Sequence, residues 1–143
     1  MQDNLDIFFK QSRDSLVDQD YQCAFLNCKK CEIVSTALYN QSTQIERLHV
    51  IDTLFEVYLL TLECHKKACC IECAQREIQN YFDYFLEIHI NQLNYHQLRI
   101  KASVYLKAVF FDLRNIYRDQ KKYFQIAKLE NIFSENYKPL ILI

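Results

Sequence analysis

The sequence predicts an all-α fold, on the evidence of its glycine content and its apolar spacing. The 143 residues contain no glycine and a single proline, Pro139. Tight β-hairpin turns, phosphate loops and dinucleotide-binding loops need glycine where φ is positive or where the backbone approaches a ligand. Apolar residues recur instead at i, i+3, i+4 and i+7, the spacing of a buried helical stripe. We therefore expect five to seven helices in antiparallel hairpins, stacked as a short solenoid or bundle.

The same spacing places the helices one by one. It predicts six helices, at about residues 4–17, 20–39, 43–63, 66–91, 95–118 and 120–136. Apolar residues spread around much of the fifth helix, which predicts a central position with neighbours on two sides. No sequence signal separates the third helix from the fourth, and that break is inferred from the improbable length of an unbroken helix.

Capping residues mark the other breaks. Thr43 followed by Glu46 three residues later is a capping box before an apolar run, and Asn94 with Gln97 is a looser version. Asp20 marks the first turn. We expect one helical domain over residues 1–138 and an apolar tail over residues 139–143, which begins at the proline that ends the last helix.

One segment resembles a known repeat family. The segment from Asp20 to Ile33 is similar to the second helix of a tetratricopeptide repeat. Tyr21 stands at the aromatic position after the turn, and Ala24 at the small residue that packs between helices. Cys28 stands where the family often has an aromatic residue, and Cys31 where it has alanine.

The resemblance continues more weakly in two other places. Residues 65–78 repeat the pattern with Ala68 or Ala74 as the small residue, and Ser12 takes the small position of the first helix. The chain has no tryptophan, no Leu-Gly pair and no proline closing a repeat. The resemblance therefore implies stacked antiparallel hairpins of the tetratricopeptide-repeat-like (TPR-like) kind.

Charge and terminal sequence bear on partners and location. The net charge is −1, but residues 1–65 carry −5 and residues 66–143 carry +4, so the two ends differ electrostatically. The N-terminal segment is acidic and lacks the features of a signal or transit peptide, and no apolar run reaches the roughly 20 residues of a membrane span. The odd number of cysteines, seven, favours a reducing compartment. These features favour an intracellular protein of the cytoplasm or nucleus.

The cysteines admit two interpretations. Cys28-x-x-Cys31 and Cys70-x-x-Cys73 have a spacing that could supply zinc or redox chemistry. Cysteine also replaces alanine as a small buried residue where helices cross closely. We favour packing, because zinc knuckles commonly need a glycine-bearing loop. Catalytic triads and phosphate-binding motifs do not stand out, so we expect no enzyme activity and no cofactor.

A basic stripe is the best candidate for partner binding. Lys107, Arg114 and Lys121 recur every seven residues, with Arg118 beside them and Lys122 close by. If the fifth helix extends that far, these side chains share one sector. The stripe could be a solvated face, or it could attract an acidic helix, a peptide carboxylate or a phosphate backbone.

Two apolar features add to the candidate contacts. Tyr84 is expected to point away from the aromatic side chains around it and to form an exposed contact. The last four residues must fold back on the protein or lie on a partner. They are Leu140, Ile141, Leu142 and Ile143.

These observations predict a non-catalytic protein–protein interaction module, an adaptor or a small subunit of a hetero-complex. The expected partner is a protein, and it could present an acidic surface or segment. One alternative is nucleic-acid or ribonucleoprotein binding through residues 107–122. A second alternative is a zinc- or redox-dependent protein that uses the cysteine cluster, which comprises Cys64, Cys69, Cys70 and Cys73 with Cys28 and Cys31 on another helix.

Overall fold

The computed structural model describes the backbone of residues 2–137 and the side chains of residues 4–137. This part of the chain forms six α-helices and no strand, which confirms the all-α prediction. Each predicted helix is present, but the third helix ends at Ala68 and the fourth begins at Ile71, so the break predicted between residues 63 and 66 lies too early. The helices are α1 (Gln2–Val17), α2 (Tyr21–Gln41), α3 (Gln44–Ala68), α4 (Ile71–Ile90), α5 (His96–Asp119) and α6 (Tyr123–Asn136).

The chain divides into two compact units, Met1–Ala74 and Gln75–Ile143. The first unit contains α1, α2 and α3, and the second contains most of α4 together with α5 and α6. The expectation of a single domain over residues 1–138 stays a prediction, and residues 138–143 lie outside the described part of the chain.

Helices of the first unit pack as antiparallel neighbours. In the α1–α2 pair the Ser12 hydroxyl donates to the carbonyl of Ala24 across 3.0 Å, and Ala24 is fully buried. In the α2–α3 pair the Arg47 Nε donates to the carbonyl of Tyr39 across 2.9 Å, although these residues lie near opposite ends of their helices. Partner numbers rise along one helix as they fall along the next, which is the mark of an antiparallel hairpin.

Polar contacts join α4 to α5 in the second unit. The Arg99 Nε donates to the carbonyl of His89 across 2.8 Å, and the His89 ring Nδ1 lies 3.1 Å from the carbonyl of Arg99. At the other end of the pair, the Tyr117 hydroxyl donates to Gln79 across 3.0 Å. His89 is almost fully buried, because this reciprocal contact satisfies its polar groups inside the pair.

Aromatic stacking joins α6 to α5. The Phe110 and Phe133 rings stack with centroids 4.1 Å apart, and Phe133 stacks in turn on Tyr137 at 4.7 Å. Helix α5 therefore contacts both α4 and α6, and its central position stays a prediction. Its buried face consists of Leu98, Ala102, Ser103, Leu106, Val109, Phe110, Leu113 and Tyr117.

Three of the turns between helices contain a residue with positive φ, and none of these residues is glycine. In the α1–α2 turn Gln19 has φ 62°, its N–H donates to Leu16, and the N–H of Asp20 reaches back to Ser15. This pair of bonds is the Schellman pattern, which usually uses glycine at the left-handed position. The α3–α4 and α5–α6 turns repeat both bonds, with Cys69 (φ 56°) and Lys121 (φ 56°) at that position.

The α2–α3 turn uses a side-chain cap instead. Thr43 forms the predicted capping box with Glu46: the Thr43 N–H donates to the Glu46 carboxylate and the Glu46 N–H donates to the Thr43 hydroxyl. The looser box at Asn94 was wrong. Tyr95 precedes α5 without a side-chain cap, and the Asn94 amide donates to the carbonyl of Ile88 at the end of α4.

A glycine at position 19 should stabilise the first hairpin turn. The Cβ of an L-residue costs about 1 kcal/mol or more in the left-handed region, and glycine removes that cost. Glycine also increases the backbone entropy of the unfolded chain, which offsets part of the gain. We expect Gln19→Gly to raise the free energy of unfolding by about 0.5 kcal/mol, measured by urea denaturation. Gln19→Ala keeps the Cβ and serves as the control. An equal effect of both variants would contradict the strained-turn account.

Removal of the α3 cap should have the opposite effect. Thr43→Ala deletes the hydroxyl that accepts from Glu46, and we expect a loss of about 1 kcal/mol. The Thr43 N–H, and after it the Thr43 hydroxyl, hydrogen-bond to the Glu46 carboxylate and lower its pKa, so the stability that these bonds add is present above the unfolded pKa and is lost as pH falls through the folded pKa. Thr43→Ala keeps the N–H and removes only the hydroxyl, so part of its difference from the wild type should disappear in acid. Thr53→Ala, inside α3, is the control, and a difference independent of pH would rule out a contribution of the hydroxyl to the Glu46 carboxylate.

Candidate functional site

The candidate site is an exposed stripe along α5. Val104, Lys107, Phe111, Arg114 and Arg118 fall within one sector of the helix, because steps of three and four residues return to the same side. Val104 is 60% exposed and Phe111 39% exposed. Lys107 and Arg118 are exposed, and Arg114 is partly covered. Apolar and cationic side chains therefore share one face of α5, which is exposed except at Arg114. We call these five residues the α5 stripe.

Arg114 contributes to the packing of α6 on α5. Its guanidinium lies 4.0 Å from the Glu130 carboxylate and 5.0 Å and 5.5 Å from the ring centroids of Phe111 and Phe110. Only 28% of the side chain is exposed. Arg114 is therefore already engaged within the second unit, and a substitution there would change stability as well as any binding.

The basic residues do not form one continuous helical stripe as far as Lys122. Helix α5 ends at Asp119, and Lys121 occupies the left-handed position of the turn. The helical sector that was predicted to hold Lys107, Arg114 and Lys121 therefore ends before Lys121. Lys121 is exposed, and the Lys122 ammonium donates to the side chain of Gln75 across 2.9 Å. Both cations lie just beyond the C-terminus of α5, where the helix dipole favours positive charge.

Two exposed aromatic residues follow these lysines. Tyr123 is 66% exposed and Phe124 is 79% exposed, both in the first turn of α6. Leu129 is the one residue of α6 that is buried. A short helix of 14 residues buries a narrow stripe. The Lys121–Phe124 segment therefore presents two cations and two aromatic rings in succession.

The other two predicted contact regions are placed differently. Tyr84 is half-buried, and its ring lies edge-on to Phe85 with centroids 6.3 Å apart. Tyr84 is thus less exposed than the sequence predicts. The predicted contacts at Leu140–Ile143 lie outside the described residues.

The first unit buries three of the cysteines together. Cys28 Sγ lies 3.4 Å from Cys64 Sγ and 3.2 Å from the Ser12 hydroxyl, and Cys31 is fully buried. Burial, with the neighbouring Cys28, raises the pKa of Cys31 to about 12. A hydrogen bond with Cys28 and burial raise the pKa of Cys64. These thiols are neutral and enclosed, which fits the packing interpretation.

Packing between helices does not explain the second group of cysteines, Cys69, Cys70 and Cys73. Cys70 and Cys73 form a disulfide across the first turn of α4, and both Cys69 and Cys73 are exposed. This bond joins the two sulfurs of one C-x-x-C motif to each other, so the structure does not assemble the zinc pairing with Cys28 and Cys31. No group of three or more His, Cys, Asp or Glu side chains among the described residues is arranged to hold a metal ion.

A cleft of about 360 Å³ opens between α1 and α3 in the first unit. Its lining carries charges of both signs, and the Arg13 guanidinium lies 5.5 Å from the Phe9 ring centroid. The lining residues are Asp6, Phe9, Lys10, Arg13, Asp14, Thr53 and Glu56.

Comparison with protein-family models, with curated proteins and with solved structures found no significant match. Among the described helices, none combines the length and the apolar character that a membrane crossing requires. Function is therefore inferred from the exposed surface of each unit. The α5 stripe is distinctive because it combines apolar and cationic side chains.

Substitutions should separate the structural and the exposed cations of the α5 stripe. Arg114→Ala removes a partly buried stem, a cation–π contact and a long ion pair, and we expect it to lower the free energy of unfolding by about 1 kcal/mol. Lys107→Ala should change it by less than about 0.5 kcal/mol, because Lys107 is exposed. Thermal denaturation of both variants checks this. Equal effects would show that the contacts of Arg114 do not stabilise the protein.

Proposed function

We propose that the protein is a non-catalytic interaction module that binds an acidic, partly apolar segment of a protein partner along the α5 stripe. One observation carries the proposal: Val104, Lys107, Phe111 and Arg118 are exposed together on one helix face. A solvated face alone would explain the two cations. It does not by itself explain why two apolar side chains share that face, Val104 one turn before Lys107 and Phe111 between Lys107 and Arg118.

The combination of cationic and apolar side chains on the α5 stripe suggests the kind of ligand. Lys107 and Arg118 would attract carboxylates and speed the encounter with an acidic segment. Val104 and Phe111 would then supply the apolar contact area that surface ion pairs lack, since exposed pairs contribute little on their own. An amphipathic helix with acidic residues beside apolar anchors meets both requirements.

The Lys121–Phe124 segment supports a larger contact surface in the same unit. Tyrosine and phenylalanine are enriched at the centres of protein interfaces, where they bury much area at small entropic cost. Tyr123 and Phe124 follow the turn that ends α5, so a partner lying along this helix could continue onto the first turn of α6. The apolar tail, Leu140–Ile143, is proposed as an additional contact on grounds of sequence alone.

The TPR-like assignment is also part of this proposal. Three turns close the preceding helix with the same pair of backbone bonds, at Gln19, Cys69 and Lys121. Ala24, the small residue of the resemblance, is fully buried against α1. A recurring helical hairpin with a small residue at the crossing is the building unit of such arrays. We infer an adaptor or a small subunit of an intracellular hetero-complex.

Partner capture by a charge-reversed variant tests the proposal. The tagged full chain and its Lys107→Glu/Arg118→Glu variant would be purified from cells that express the protein, with nuclease treatment, and the recovered proteins quantified by mass spectrometry. We expect at least one partner with an acidic segment to be reduced about tenfold or more in the variant. The partner and a peptide of its acidic segment would then be titrated against the purified chain.

The control makes the same change of charge elsewhere. Lys10→Glu/Lys128→Glu reverses two exposed lysines away from the α5 stripe and should keep the partner. Phe111→Ser should weaken binding without changing its salt dependence, because it removes apolar area and no charge. Retention of every partner by Lys107→Glu/Arg118→Glu would reject the α5 stripe. Nuclease-sensitive recovery with a steep salt dependence would favour the nucleic-acid alternative instead.

A further inference from the structure

Three cysteines lie within five residues at the turn between α3 and α4. Cys70 and Cys73 are joined by a disulfide, and the free thiol of Cys69 is exposed beside them. The other cysteine group of the same unit differs sharply, because Cys28, Cys31 and Cys64 are buried. Cysteine reactivity depends on access to the sulfur, so these two groups should differ in their chemistry.

The disulfide is not needed to hold the turn. It closes a loop between residues only three apart in sequence, and the gain from restricting the unfolded chain is smallest for short loops. Backbone hydrogen bonds already hold both sides: the Cys70 N–H donates to His65 across 3.2 Å, and the Ala74 N–H donates to Cys70 across 3.0 Å. Cleavage of the sulfur–sulfur bond would leave these contacts in place.

The two sulfur positions are not equivalent. Cys73 is exposed, whereas Cys70 is half-buried, so an incoming thiol reaches Cys73 more readily. Cys70 immediately precedes α4, and its carbonyl accepts the first hydrogen bond of that helix. Free N–H groups at a helix N-terminus favour negative charge, which makes Cys70 the better leaving thiolate.

We propose that Cys70 and Cys73 form a reversible dithiol–disulfide couple that exchanges with thiols of the glutathione class. An external thiolate attacks the Cys73 sulfur, the bond between the two cysteines breaks, and Cys70 leaves as a thiolate that takes up a proton. A second external thiolate then attacks the external sulfur of the mixed disulfide and releases Cys73 as a thiol. Two external thiols are oxidised to one disulfide, and the protein disulfide is reduced to two thiols.

This site is independent of the α5 stripe, because it uses no residue of α5 or α6. Its reaction runs in both directions, so an external disulfide of the same class would restore the Cys70–Cys73 bond. The state of the turn would then follow the ratio of thiol to disulfide around the protein.

Glutathione titration tests the couple. The full chain carrying Cys69→Ser, which removes the competing exposed thiol, would be equilibrated at several ratios of reduced to oxidised glutathione, acidified and alkylated. Mass spectrometry should show Cys70 and Cys73 passing together from bonded to alkylated as reduced glutathione rises. Cys31 and Cys64 should stay at least about tenfold less alkylated when native protein is treated in parallel. Circular dichroism should show unchanged helix content.

Two results would overturn the couple: reduction only after the helices unfold, or no bond at any ratio of glutathione. A short pulse of reduced glutathione, quenched by acid and alkylation, tests the direction of attack. We expect glutathione on Cys73 and the alkyl group on Cys70. The reverse pattern would overturn the assignment of Cys70 as the leaving group. A Cys69→Ser/Cys73→Ser chain, which cannot form the bond, controls for background alkylation of Cys70.

Discussion

The fold depends on how a chain without glycine reverses direction. Three of the turns between helices place one residue in the left-handed region, where an L-residue with a Cβ is strained by about 1 kcal/mol or more. Gln19, Cys69 and Lys121 accept this strain, and in each turn two backbone hydrogen bonds close the preceding helix. The burial of apolar side chains within each unit must offset it. The turn at Lys121 ends α5 and brings α6 against it, so it helps decide which side chains of α5 are covered and which remain exposed.

Much of the helical fold follows from sequence because its signals are local. Apolar spacing gives the six helices, and the Thr43–Glu46 capping box depends on residues only three apart. The end of α3 could not be found in this way, because Cys69 carries none of the preference for the left-handed region that glycine has. Asn94 misled for a related reason: its amide bonds to the carbonyl of Ile88 at the end of the preceding helix instead of capping the next one.

The candidate site was harder to predict because exposure and pairing are properties of the tertiary structure. The cations of α5 are visible in sequence, but the engagement of Arg114 depends on Glu130, which lies on another helix. Val104 and Phe111 look like core residues until the positions of α4 and α6 show that one face of α5 is uncovered. Likewise, the seven cysteines look alike in sequence. Packing separates those enclosed between α2 and α3 from those at the surface of a turn.

The left-handed positions also limit how the sequence can change over time. No single-base change converts a glutamine or lysine codon into a glycine codon, whereas a cysteine codon reaches glycine in one step. Relief of strain at Gln19 or Lys121 must therefore pass through an intermediate such as arginine or glutamate, which keeps the Cβ and gains nothing. At Cys69 the relaxed turn is one base change away, so the genetic code places no such barrier there.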